Sequence, residues 1–156
     1  MKIASAFAVI LTLLFVSPCL HAYPVEFFAE GAQLSIDQML SIAEKQHEIA
    51  RLLIKEGRYD RVLIEMRKIF ALNLQGENEQ PVAKSASFIA YLLAENKQYA
   101  LGHELLDEAI TKMQQSENVA LLLKTKALIF KSQGRLREAI ETLERSVQIE
   151  KQGISQ

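Results

Sequence analysis

Gly134-Arg135-Leu136-Arg137-Glu138-Ala139-Ile140-Glu141-Thr142-Leu143-Glu144-Arg145-Ser146-Val147 is the stretch on which the fold turns. Its glycine suits a tight turn, because a residue without Cβ enters the left-handed backbone region at no steric cost. Behind it Leu136, Ala139, Ile140, Leu143 and Val147 recur at the spacing that gathers side chains on one face of an α-helix. Arg137, Glu138, Glu141, Glu144 and Gln148 fall elsewhere on the same helix. A single apolar stripe predicts a neighbour on one side only, as at the end of a stack.

Upstream the same pattern occurs twice more. Ser35 and Gln38 have capping-box spacing, so a helix is predicted to start there and to carry Ile36, Met39, Leu40, Ala43, Ile49, Ala50, Leu53 and Ile54 inward. Glu56-Gly57 ends it. A second helix over Asp60 to Leu74 is apolar through Val62, Leu63, Ile64, Met66, Ile69, Phe70 and Leu72, as an interior member of a stack must be. Gln75-Gly76-Glu77-Asn78 reads as a loop, and Pro81 as the start of the next helix. Ala86, Ile89, Ala90 and Leu93 then lead through Asn96-Lys97-Gln98 to Tyr99, Gly102, Leu106, Ala109 and Ile110; Leu123, Ala127 and Phe130 lead into Gly134. Aligning Gly57, Lys97 and Gly134 gives a unit of two helices repeated three times, with insertions in the loops 75–80 and 114–118.

With that alignment the chain resembles the tetratricopeptide repeat (TPR) family over roughly 43–150. Ala50, Ala90 and Ala127 stand at the family's small residue in the first helix. Tyr59 and Tyr99, with Leu136 in place of a third aromatic, follow the turn, and Gly102 and Ala139 occupy the helix crossing, where Val62 is larger. Helices cross at about 8–10 Å only where the contact residue is small. The resemblance implies an all-α fold, a right-handed α-solenoid of about three helical hairpins over 35–156; an irregular six-helix bundle is the alternative. It also implies a partner-binding groove on the first helix of each hairpin. Carried over by position, that groove takes His47, Arg51 and Ile54 from the first unit, Phe88 and Tyr91 from the second, and Leu121, Lys124 and Leu128 from the third. The lysine and asparagine clamp that chaperone-binding members use for a terminal carboxylate is not reproduced. His47 and Arg51 replace those residues, and Leu121 and Thr125 stand where basic residues would be expected. The implied occupant is a protein or peptide segment, the chain's own N-terminal segment, or a second copy of the chain.

The N-terminus reads as an address. Lys2 precedes a run from Ile3 to Val16 that is apolar except for Ser5 and Thr12. That run is shorter than the roughly 20 residues needed to span a bilayer, so residues 1–22 are expected to be a cleaved secretory signal, with processing after Ala22. Residues 23–34 follow as an extended segment. Val16-Ser17-Pro18-Cys19 resembles a lipobox with proline where a small residue belongs, which leaves acylation of Cys19 as the second reading. Loss of 1–22 removes the chain's one cysteine, and no Asn-X-Ser/Thr acceptor exists, so a periplasmic or secreted bacterial protein is expected, without a transmembrane span in its mature form.

Over all 156 residues, 18 basic side chains face 19 acidic ones. Nothing is left over to neutralise a phosphate backbone, and nucleic acid is not expected as a partner. The glycines are isolated, so no phosphate-cradling loop is present in the sequence, and no serine sits in a nucleophile elbow. His47 with Glu44, and His103 with Asp107, lie one helical turn apart and could each offer a metal two ligands. Without a third ligand, solvated surface pairs are the expectation. An enzyme, a metal or a cofactor is therefore not expected, and an exported scaffold that binds another protein is.

Overall fold

Ser35 opens the first helix through the reciprocal bonds its spacing predicts: Gln38 N–H donates to Ser35 Oγ at 3.2 Å and Ser35 N–H to Gln38 Oε1 at 2.9 Å. The computed structural model describes residues 34–154, which form one unit of six packed α-helices without a strand among the described residues. The expected signal, its processing site, Cys19 and the extended lead up to residue 33 lie outside them. The helices are α1 (Ile36–Lys55), α2 (Val62–Ala71), α3 (Glu79–Glu95), α4 (Tyr99–Lys112), α5 (Ser116–Ser132) and α6 (Leu136–Ile154). Short 3₁₀ turns at Tyr59–Arg61 and Gly76–Asn78 precede α2 and α3. None of these helices is long and apolar enough to cross a membrane.

The three aligned turns share one geometry. Gly57, Lys97 and Gly134 have φ of 72°, 61° and 75°. Each closes its helix with the same pair of bonds: Gly57 N–H to Ile54 O and Arg58 N–H to Leu53 O; Lys97 N–H to Ala94 O and Gln98 N–H to Leu93 O; Gly134 N–H to Lys131 O and Arg135 N–H to Phe130 O. This is the Schellman arrangement, which satisfies carbonyls that a helix end otherwise leaves open. Lys97 holds the left-handed conformation despite its Cβ.

α1 pairs with α2, α3 with α4 and α5 with α6, and α3 packs against both α1 and α5. The core runs between them through Ala50, Leu53, Met66, Ile69, Ile89, Ala90, Leu93, Leu105, Leu106, Leu122 and Ile129. Small residues stand at the contacts. Ala50, Ala90 and Ala127 are buried, and at Gly102 a Cβ would lie 3.1 Å from the Ala90 carbonyl oxygen and 3.3 Å from Ile129 Cδ1, so α3, α4 and α5 converge there. Glu79, in the first turn of α3, ties two hairpins together. Its buried Oε1 accepts from Gln114 N–H at 3.0 Å and Gln115 N–H at 3.1 Å, just ahead of α5, and from Asn118 Nδ2 at 3.1 Å in the first turn of α5, where a negative charge suits the helix dipole.

Several expectations are corrected. The second helix is shorter than Asp60 to Leu74, because 59–61 form a tighter turn and Asn73 at φ 49° ends the segment. Ile64 is exposed, so α2 is not apolar all round; Ile36 and Ile49 are exposed on α1 as well. The largest correction concerns α6. Its apolar stripe faces solvent, with Leu136, Ile140, Leu143 and Val147 between 45% and 59% exposed. What α6 lays against α5 is a row of small side chains, Ala139, Ser146 and Gly153 among them, and the Ser146 hydroxyl donates to Ala120 O at 3.1 Å. Small residues let the two backbones approach closely. At about 100° per residue that row and the four large apolar side chains are roughly a quarter of a turn apart, so only one of them can face α5.

Candidate functional site

The residues proposed for a groove come from α1, α3 and α5, which lie side by side. Between α1 and α3 is a cavity of about 570 Å³ whose walls include Leu40, Ala43, His47, Arg51, Val82 and Phe88. A second, of about 490 Å³, takes in Arg51, Ile54, Tyr59, Phe88 and Asn96. A third, of about 250 Å³ between α3 and α5, takes in Ser87, Phe88, Tyr91, Leu121, Thr125 and Leu128. Phe88 lines all three, and Arg51 the first two. The aromatic ring is thus the partition of a compound surface that runs across the first helices of the three hairpins.

This arrangement follows from local sequence. On α5, Leu123 and Ala127 point into the core while Leu128, 56% exposed, stands on the other face, and Tyr91 is 46% exposed on α3. Two hydroxyl contacts stitch the three helices: His47 Nδ1 of α1 lies 2.7 Å from Ser85 Oγ of α3, and Ser87 Oγ of α3 lies 2.6 Å from Thr125 Oγ1 of α5. They satisfy polar groups that would otherwise be stranded at a helix contact. Sequence reasoning named neither Ser85 nor Thr125 as the partner, since such pairs join residues 38 apart in the chain.

Not every named residue belongs on this surface in the same sense. Ile54 is 5% exposed and packs in the core, so it is the floor of the second cavity rather than an anchor for a partner. Lys124 lines none of the three cavities and pairs instead with Glu150 of α6. Arg51 is held by Glu48 at 3.0 Å, so its charge at the rim is partly compensated. Lys84, which lines the first and third cavities, was missed; it hydrogen-bonds Gln80 at 3.2 Å.

Neither histidine is a solvated partner of a carboxylate. His47 packs against Phe88, with ring centroids 5.7 Å apart, and desolvation, followed by the Arg51 charge, lowers its pKa below the ordinary 6.5. His103 lies 4.3 Å from the Phe130 ring with Nε2 3.4 Å from Gln133 Oε1, and burial lowers its pKa too, ahead of the opposing effect of that hydrogen bond. Asp107, the carboxylate one turn away, is engaged by Lys126. Among the described residues no three His, Cys, Asp or Glu side chains are gathered as metal ligands would be.

No protein-family model, curated protein or solved structure matches the chain.

Proposed function

We propose that this chain is an exported scaffold built as a right-handed, TPR-like solenoid of three hairpins, and that its face on α1, α3 and α5 binds a segment of another protein of the cell envelope. One observation carries the binding reading: three cavities on one face share the Phe88 ring as a common wall. Apolar anchors over a hydrogen-bonded floor suit an extended or helical segment whose side chains enter neighbouring cavities in turn. The repeated turn geometry at Gly57, Lys97 and Gly134 supports the solenoid reading. A secretory signal in 1–22 supports export, and acylation of Cys19 remains the alternative route to a membrane surface.

The test is the pair Tyr91→Ser with Leu128→Lys. Both side chains are about half exposed, so helicity and melting temperature stay close to those of the unaltered chain. Binding to a partner captured by cross-linking in the native envelope, then titrated as a purified species, falls at least about tenfold, or about 1.4 kcal/mol. Unchanged affinity removes this face from the mechanism. Collapse of the fold shows that these side chains support the core.

A further inference from the structure

α6 ends the described unit with four apolar side chains, Leu136, Ile140, Leu143 and Val147, that nothing in the chain's described part covers. Their steps of four, three and four are those of a heptad seam, the pattern by which one helix packs along another. The same helix already spends its small-residue side on α5, so the seam is a second, separate face.

We propose that this seam is the contact of a homodimer in which the α6 helices of two copies lie antiparallel across a two-fold axis. The charges beside the seam choose the occupant and the direction. Arg137, Glu144 and Lys151 flank it on the side away from α5, and the other flank carries the small Ala139 and Ser146. In the antiparallel register that opposes Ile140 with Leu143 of the second copy, and Leu136 with Val147, Arg137 of each copy meets Glu144 of the other. Two complementary pairs thus frame four apolar layers. A parallel arrangement sets each charged flank against the small, uncharged one and gains neither pair. Arg137 has room to turn to a partner: its side chain is 87% exposed and its ion pair with Glu141 is long at 3.8 Å.

An anionic membrane is the poorer occupant. With Arg135 of the preceding turn included, 135–151 carries Arg135, Arg137, Arg145 and Lys151 against Glu138, Glu141, Glu144 and Glu150, so no net positive charge accompanies the apolar face. Eight half-exposed side chains make an apolar core well short of a standard interface of about 1,600 Å², and the association is accordingly weak, in the micromolar range. A self-complementary contact of this kind closes at two copies.

The experiment is sedimentation or light scattering on protein recovered from cells expressing the full-length chain, followed over a concentration range of about a hundredfold around the micromolar region. A monomer–dimer equilibrium is expected, shifted to monomer by Ile140→Lys with helicity unchanged. Arg137→Glu and Glu144→Arg each weaken the dimer, and together they restore it, a rescue that a merely structural role for either residue would not produce. A monomer at every concentration overturns the proposal, as does a dimer that survives Ile140→Lys or a mass that grows without limit. Charge reversals without effect overturn the antiparallel register. Co-sedimentation of a monomeric chain with phosphatidylglycerol vesicles, abolished by Ile140→Lys, would reassign the seam to a lipid surface.

Discussion

Gly102→Val, in the first turn of α4, should destabilise the helical unit. A Cβ at residue 102 already lies 3.1 Å from the Ala90 carbonyl oxygen and 3.3 Å from Ile129 Cδ1. The first neighbour is backbone and cannot rotate away. Valine adds two methyl groups around that Cβ, and inserting methyl groups into a filled contact costs about 1–3 kcal/mol. The upper part of that range applies, since α3 and α4 must part to make room. Replacing glycine inside a helix returns about half a kcal/mol through valine's better propensity. The net loss is about 2 kcal/mol, or roughly 8 °C in melting temperature for a unit of this size. Gly102→Ala is the internal control: a propensity gain of about 1 kcal/mol opposes a shift of a few tenths of an ångström, and the two nearly cancel. Thermal melts followed by far-ultraviolet circular dichroism read both variants. A valine variant that melts within about 2 °C of the unaltered chain would refute the three-helix convergence at Gly102.

Other perturbations test the remaining contacts. Glu79→Ala leaves two backbone N–H groups and the Asn118 amide without their acceptor, and a loss of about 2–4 kcal/mol is expected in denaturant titration; Glu79→Gln, which keeps an acceptor oxygen, costs less. Ala90→Glu and Ala139→Arg force a long charged side chain into buried helix contacts, at 0% and 6% exposure, and each lowers the melting temperature sharply. His47 and His103 resist protonation in the folded state, whereas the unfolded chain takes up protons near the ordinary value of 6.5. Stability is therefore undiminished above that value and falls as pH drops through it toward the lowered folded values. Melts at about pH 7.5 and about pH 5 should show the decline, and replacing both histidines with glutamine should flatten it.

The sequence carried the turns because their chemistry is local. Ser35 with Gln38, and glycines at 57 and 134, act on bonds within a few residues of themselves, so spacing alone locates them. Lys97 became legible through alignment with those glycines, since lysine by itself does not announce a left-handed residue. The orientation of α6 was not legible. Periodicity identifies an apolar face but not what the face meets, and here the close approach of α5 selected the small side chains instead of the large ones. Ile54 shows the same limit within the candidate site, where a groove position inferred by register is filled by a core side chain. The histidines were misread for a different reason: Ser85, Phe88, Phe130 and Gln133 reach them from elsewhere in the fold, and at His103 burial outweighs the charge of Asp107 one turn away.

Glu79 also governs where the unit can breathe. Its bonds join the beginning of α3 to the beginning of α5 over 35 to 39 residues and pass over α4 altogether. Helix ends ordinarily fray, and their amides trade hydrogen for deuterium through small openings that involve little else. The amides of Gln114 and Gln115 are held by a buried carboxylate, so releasing them requires α3 and α5 to separate where they begin. Their exchange is then gated by a larger, shared opening, slower than at the capped but solvent-facing start of α1, and it tracks the second and third hairpins as one cooperative block.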